Sequence, residues 1–443
     1  MQGEQPVTSA AIGRQVRWRL GLPCILFMLF SSLDRANISF AAKAMNAELG
    51  FSPTEYGFGA GVLFVGFLAG QYPSLWWLQR VGMRKWIATC ALWWGLSAAA
   101  MAFIEGHMGF YVLRVLIGFA EGGLAPGIVF YLTQFATERE RASTFSMPMI
   151  AIPGSVILGA PLSGWLLEVG QQSGFTPWRF MYLAEAVPTV LLGLLALFYF
   201  PDTPARAAWL SQGEKDWLAK HAARGAAAKQ PNEWRALLKP YVVLSGLLWF
   251  CLLSGSYGVI FWLPQVIGSL TSLGSFEIGL VGALPWIGVA IGIYVNAAHS
   301  DRTGERYWHV AGPALLAALS LVVAWQAGPG VLAALALAVA GLGLGGAQGA
   351  FWAIPTQLMS REAMGVAVVA INILGSAGGM VMPTLMGLAR EKSGGFAGPT
   401  WLVVGVLAVA AGLVAVLRRL AGDRCSTVKP DTVDGSINEE GST

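Results

Sequence analysis

Residues 80–86 read RVGMRKW and residues 302–308 read RTGERYW, so both stretches carry the pattern R-x-G-x-R-x-W. The two copies are 222 residues apart. The same offset relates Arg139-Glu140 to Arg361-Glu362 and Pro161 to Pro383. One offset that holds at three separate places indicates an internal duplication, in which the second half of the chain repeats the plan of the first.

The composition is typical of a membrane protein. Hydrophobic residues make up 55% of the chain, charged residues make up 12%, and the mean hydropathy is +0.60. The hydrocarbon layer is roughly 30 Å thick, so a helix that crosses it needs about 20 mostly apolar residues. Twelve runs meet this criterion, at about residues 20–43, 56–78, 86–104, 110–134, 143–167, 179–200, 241–267, 277–298, 309–327, 331–354, 364–389 and 399–418. They lack the alternation of a barrel strand, so all twelve are predicted to be helices.

One long polar interruption divides the twelve predicted spans into two groups of six. We therefore predict an all-α integral membrane fold with two pseudo-symmetric halves and a substrate site between them near the middle of the membrane. The predicted segments are an N-terminus (1–18), the first half (19–200), a linker (201–240), the second half (241–419) and a disordered tail (420–443). Ser211 and Glu214 fit a capping box that opens a short helix in the linker.

The basic residues predict the orientation of the chain. Of the 28 Lys and Arg residues, 22 fall in segments on one side of the predicted membrane. Because Lys and Arg concentrate in cytoplasmic loops, both termini and the linker are predicted to be cytoplasmic, in a bacterial-type inner membrane. This topology explains the net charge of +4, which therefore indicates no nucleic-acid partner.

Four charged side chains interrupt two of the predicted spans. Asp34 and Arg35 lie in the first span, and Arg114 and Glu121 lie in the fourth. Each costs about 2.5–3.5 kcal/mol at a helix centre unless it is paired or faces water, so such residues usually mark a substrate or proton path. Arg114 and Glu121 are two turns apart and share a helix face. We expect all four charges at one cavity, with Glu121 below the other three.

The chemistry of these side chains favours a division of roles. A guanidinium stays charged and can hold a carboxylate with two parallel hydrogen bonds. A desolvated carboxyl group can take and release a proton near neutral pH. The alternative is that the four charges form ion pairs that only lock the two helices together.

Weaker candidates lie elsewhere in the spans. Asn372, Gln265 and Tyr257 could each hydrogen-bond a ligand or join two helices, and Gln71 is better explained by a helix-to-helix contact. Trp352 fits packing or the interfacial belt. The chain shows no Ser/His, paired-Asp or His-Glu arrangement at one depth, so we predict a protein that is not an enzyme and that uses no metal or cofactor besides the proton.

Several strings resemble one known family. They are residues 33–52 (LDRANISFAAKAMNAELGFS), 114–132 (RVLIGFAEGGLAPGIVFYL), 257–265 (YGVIFWLPQ) and 371–387 (INILGSAGGMVMPTLMG). These strings are similar to the anion:cation symporter family of the major facilitator superfamily, which includes tartrate, phthalate, hexuronate and galactonate permeases. The resemblance runs from about residue 30 to residue 415.

The resemblance implies a role for each interior charge. Arg35 and Arg114 would hold the substrate carboxylate, and Asp34 and Glu121 would carry protons. It also implies that aromatic and amide side chains of the second half line the site, namely Asn372, Tyr257 and Trp352.

A cytoplasmic gate is implied by the duplicated loop. Its residues would be Arg80, Gly82, Arg84, Asp301 and Arg302. This sequence departs from the family in two places. Gln79 stands where the gate usually has Asp, which argues for a weaker gate. Gln71 stands where many dicarboxylate members have Glu, which leaves the substrate subgroup open.

Together these observations predict a proton-coupled importer of an organic anion: a sugar acid, a dicarboxylate or an aromatic carboxylate. Its partners would be the anion, protons and the lipid bilayer, and we expect a monomer. The alternative is an uncoupled exchanger or uniporter, in which the carboxylates only pair with the arginines.

Overall fold

The structure, a computed structural model, describes residues 9–136, 151–221, 239–359 and 361–427. Twelve helices in this part of the chain are long and apolar enough to cross a membrane, as predicted. They are α1 (Ile12–Leu49), α2 (Pro53–Val81), α3 (Met83–Phe103), α4 (His107–Thr133), α5 (Ala151–Gln172), α6 (Pro177–Tyr199), α7 (Pro240–Ser269), α8 (Ser275–Thr303), α9 (Trp308–Gln326), α10 (Val331–Leu358), α11 (Ala367–Ser393) and α12 (Ala397–Ala421).

The first and last spans are longer than predicted. Helix α1 passes through a π-helical turn, Arg17–Gly21. The buried residues Ile12, Val16 and Leu20 hold the extra turns against the first half. The helix of α12 continues to Thr427, so the boundary predicted after residue 419 is wrong. The rest of the predicted tail, and the predicted start of the fifth span at residue 143, lie outside the described residues.

The linker begins with the predicted helix, Gln212–His221. Its capping box is confirmed: Glu214 N donates to Ser211 Oγ at 3.3 Å, and Ser211 N donates to Glu214 Oε2 at 2.8 Å. The other carboxylate oxygen accepts a hydrogen bond from Gln15 in α1 at 3.1 Å. Leu218 is fully buried, so the linker helix packs against the first half.

Hydrophobic packing shows how the two halves meet. Because the number of spans is even, α1 begins and α12 ends on one membrane face, here called the terminal face; the other is the opposite face. A buried cluster near the opposite face contains residues of both halves, such as Phe64 and Met382. Near the terminal face there are two separate clusters, one around Trp86 in the first half and one around Val310 in the second. In the described part of the chain, the two halves are therefore in contact at the opposite face and separated at the terminal face.

Glycines make the closure at the opposite face tight. A Cβ at Gly57 or Gly61 of α2 would collide with the backbone of Pro383 or Met380 in α11. Helices α5 and α8 approach in the same way, at Gly164 against Ser275 and at Gly279 against Ala160. Two backbones can come this close only where no side chain separates them.

Substituting Gly61→Leu should open the opposite face. Overpacking costs about 1–3 kcal/mol, which corresponds to a shift of about 5–150-fold in a two-state equilibrium. A membrane-impermeant maleimide should therefore label a Gln265→Cys reporter faster from the opposite side. Gly405→Leu is the matched control, since its Cβ meets nothing within 4 Å. Equal labelling rates in Gly61→Leu and its parent would show that this contact does not hold the face closed.

Candidate functional site

An ion pair between α1 and α4 lies at the centre of the molecule. Arg35 Nη2 donates to Glu121 Oε2 at 3.0 Å. The Glu121 side chain is fully buried, while 18% of the Arg35 side chain remains exposed. Of these two charges, the arginine is therefore the one that an incoming anion can reach.

Aromatic side chains from both halves surround this arginine. The Arg35 guanidinium lies 5.1 Å from the centre of the Phe67 ring in α2, and Arg35 also interacts with Tyr257 of α7. The Tyr257 ring packs edge-on against Phe64 of α2, with centroids 4.6 Å apart. Arg35 therefore sits where the two halves of the chain face each other, as the duplicated architecture requires.

Asn372 is placed so that it can contribute from the second half. It lies two turns before Gly379 on α11, and these two positions share a helix face. Gly379 packs against Phe64 and Tyr257, so this face of α11 points toward the first half. The Asn372 side chain is exposed.

Arg114 is buried apart from this pair. It is 1% exposed and donates to the carbonyl oxygens of Gly59 and Ala60 in α2, both at 3.4 Å. Among the described residues it forms no ion pair. Arg114 thus bonds to carbonyl groups rather than to a carboxylate, because its guanidinium turns toward α2, where the close-packed glycine segment leaves carbonyl groups within reach. It still interacts electrostatically with Glu121 and Asp34.

Asp34 also differs from expectation. Its Oδ2 accepts a hydrogen bond from Trp94 Nε1 of α3 at 2.7 Å, and the residue is 2% exposed. Adjacent residues on an α-helix point about 100° apart. Asp34 therefore faces the interior of the first half, while Arg35 faces the space between the halves. Among the described residues, Asp34 and Arg35 form no ion pair with each other.

Two predicted ligand residues lie at other sites. Gln265 follows Tyr257 by about two turns of α7 and therefore lies nearer the opposite face. There it accepts a hydrogen bond from Arg390 of α11 at 2.9 Å. Trp352 packs against Trp249 and Phe351, near the terminal-face end of α10. The structure therefore places neither residue beside Arg35.

The first copy of the loop motif forms contacts at the terminal face. Gly82 has φ +81°, a left-handed conformation that suits glycine, and a Cβ there would meet the carboxylate of Asp202. Arg84 N donates to Asp202 Oδ1 at 3.1 Å, and Arg84 Nε lies 3.4 Å from Oδ2. Arg80 stacks on Trp76 at 3.9 Å. Asp202 begins the linker and was not among the predicted gate residues.

The second copy has a different ion pair. Asp301 pairs with Arg306 at 2.5 Å, and Arg302 is exposed. Like those of the first copy, the described contacts of this loop stay within one half. Such contacts are compatible with a terminal face at which the halves are apart.

One buried acid was missed by the sequence analysis. Glu185 of α6 is 3% exposed and accepts hydrogen bonds from Asn37 and Ser163. It lies inside the span predicted at 179–200, so the criterion that identified Asp34 would have found it.

Comparisons with known proteins agree with this architecture. The family model described as Major Facilitator Superfamily matches residues 24–383. The chain is 39% identical over 421 residues to "Putative tartrate transporter" of Agrobacterium vitis, covering 94% of this chain and 97% of that one. It is 32% identical over 379 residues to "Inner membrane transport protein RhmT" of Escherichia coli K12, covering 85% and 88%.

Solved structures show the same fold. A bacterial homolog of the human lysosomal transporter Spinster, in an inward-facing and occupied conformation, matches with a TM-score of 0.74 at 15% identity. The match covers 94% of this chain and 98% of that chain. The resemblance seen in the sequence is thus confirmed: this chain belongs to the Major Facilitator Superfamily of membrane transporters.

Proposed function

We propose that this transporter imports an organic anion together with protons, by rocking its two halves around Arg35. The observation that carries the proposal is the buried pair of Arg35 and Glu121, which faces both halves and leaves only the arginine partly exposed. An arginine with an accessible edge and a removable partner is suited to bind a carboxylate.

The coupling follows from the cost of an unpaired buried charge. Removing one partner of a buried ion pair costs about 3–5 kcal/mol, because the other charge is left uncompensated. Arg35 therefore needs an anion at every stage. When Glu121 takes a proton it becomes neutral, and the substrate carboxylate replaces it on the guanidinium. By linkage, substrate binding then favours the protonated form of Glu121 to the same degree.

The second half completes the proposed site. Tyr257 would donate from its hydroxyl group, and Asn372 would offer both a donor and an acceptor to the substrate. Arg114, which has no carboxylate partner among the described residues, would hold a second anionic group once the opposite face opens.

The membrane orientation is part of the proposal. The excess of Lys and Arg at the terminal face supports a cytoplasmic location for both termini. The structure would then be open toward the cytoplasm, the state in which an importer releases its substrate. The name of the Escherichia coli relative supports the inner membrane.

For the substrate we propose a small hydroxy-dicarboxylate, with tartrate as the first compound to test, because of the name of the Agrobacterium vitis relative. Two arginines at different depths suit two carboxylates. An uncoupled exchanger or uniporter is the alternative mechanism.

Proteoliposomes with an inward proton gradient should accumulate tartrate, and a protonophore should abolish the accumulation. Galactonate, glucuronate, phthalate and hydroxyphenylacetate complete the panel. Accumulation of another acid would keep the mechanism and change the substrate class. Equilibration that ignores the gradient would favour the uncoupled alternative.

Glu121→Gln should separate coupling from transport. The variant keeps the shape of the side chain but cannot release a proton, so accumulation driven by the gradient should be lost while exchange of labelled for unlabelled substrate continues. Asp216→Asn, on the exposed linker helix, is the control with unchanged uptake. Uphill accumulation by Glu121→Gln at the normal rate would rule out the proposed proton carrier.

Arg35→Lys should weaken substrate binding although the charge is kept. Lysine cannot form two parallel hydrogen bonds to a carboxylate. The loss of one charge-assisted hydrogen bond, about 1.5–3 kcal/mol, corresponds to roughly a ten- to hundredfold rise in Kd. Arg206→Lys is the matched control, since its side chain is 70% exposed in the linker. A Kd within twofold of the original would show that Arg35 does not hold the substrate.

A further inference from the structure

Glu185 is a buried acid without a cation. Its Oε2 accepts from Asn37 Nδ2 of α1 at 2.7 Å, and its Oε1 accepts from Ser163 Oγ of α5 at 2.6 Å. Both donors are neutral, and in the described part of the chain no Arg or Lys donates to it. An ionised carboxylate in such surroundings is costly, so a proton is the simplest compensating charge.

A second acid lies on the same side of α1. Asp34 and Asn37 are three residues apart and therefore share a helix face. Asp34 is close enough to Glu185 for the two carboxyl groups to interact electrostatically. Two carboxylates that share a desolvated site cannot both be ionised without a large cost.

Two of the buried polar atoms around Glu185 need hydrogen-bond donors. Four buried atoms near Glu185 have no hydrogen-bond partner: Asp34 Oδ1, Asn37 Oδ1, Tyr182 OH and Thr189 Oγ1. Asp34 Oδ1 and Asn37 Oδ1 can only accept hydrogen bonds, because a carboxylate oxygen and an amide oxygen carry no hydrogen. A proton on either carboxyl group would supply one of the missing donors.

The groups around the pair come from several helices. Titratable or charged groups are contributed by α1 (Asp34), α4 (Arg114, Glu121) and α6 (Tyr182), whereas α3 and α5 contribute the neutral Trp94 and Ser163. Both cations make their hydrogen bonds to other groups: Arg35 pairs with Glu121, and Arg114 bonds to α2 carbonyls, although Arg114 also interacts electrostatically with Asp34. Neither forms an ion pair with Asp34 or Glu185.

We infer that Glu185 and Asp34 form a proton-sharing pair behind α1, in which one proton is held by one or the other of the two carboxyl groups. Asn37, two residues after Arg35 on α1, links this pair to the segment that carries Arg35. Glu185 is thus a positioning residue that touches no substrate. The inference rests on the proposed function and deepens it. The proton that the family resemblance assigns to Asp34 is shared by Asp34 and Glu185.

Infrared difference spectra tell whether the pair exists without any transport assay. In purified transporter in lipid vesicles, the carbonyl band of protonated carboxylic acids should change between acidic and neutral pH. Glu185→Gln should remove part of that band. Asp34→Asn should keep the Glu185 band but move its midpoint to lower pH by about one unit, since a neighbouring negative charge is gone. Glu168→Gln, on α5 away from the pair, is the control with an unchanged band.

Two outcomes would overturn the inference. One is a difference spectrum of Glu185→Gln equal to that of the original protein, which would mean that Glu185 never changes its protonation. The other is an unmoved midpoint in Asp34→Asn, which would mean that the two acids titrate independently. If Glu185→Gln fails to fold, the shift of the midpoint in Asp34→Asn still tests the inference. Uptake that ignores the proton gradient would contradict only the proposed coupling, since the spectra do not depend on it.

Discussion

A buried guanidinium has to be neutralised, and the rest of the site is organised around that requirement for Arg35. In the structure Glu121 supplies the compensating charge at 3.0 Å, while Phe67 covers the guanidinium with the face of its ring. In the proposed mechanism the partner can be exchanged but not omitted, and this requirement links the proton on Glu121 to the anion on Arg35. Coupling of this kind needs no long-range signal, since the Glu121 carboxylate and the substrate carboxylate compete for one guanidinium.

The position of this pair matters because of how the halves pack. Toward the opposite face, glycines such as Gly57 and Gly164 allow backbone contact between the halves, and the hydrophobic cluster is continuous. Toward the terminal face each half has its own cluster. Each half can therefore move as a packed body, and Arg35 together with Tyr257 lies between the closed and the separated parts. In the proposed mechanism, a change of charge at this level acts on the contact that decides which face is closed.

The sequence predicted the architecture well and the side-chain partners only in part. The number of spans and the capping box at Ser211 depend on local sequence patterns, which specify the same local structure in the folded protein. The partners of Asp34 and Gln265 depend on how each helix is rotated about its axis, which no local pattern specifies. Asp34 and Arg35 are adjacent in the sequence, yet the helix directs Arg35 to the cavity and Asp34 to Trp94.

That divergence gives α1 two chemically different faces. One face carries Arg35, whose charge is balanced by Glu121 or by a substrate. The other carries Asp34 and Asn37 against Glu185, where no Arg or Lys of the described residues forms an ion pair with either acid and, as we infer, a proton balances the charge. In the proposed mechanism, protonation on one side of α1 and anion binding on the other thus act on the same segment, within one turn of Asn37. A helix that carries these two groups on opposite faces can respond to the proton and to the anion together, as the proposed symport requires.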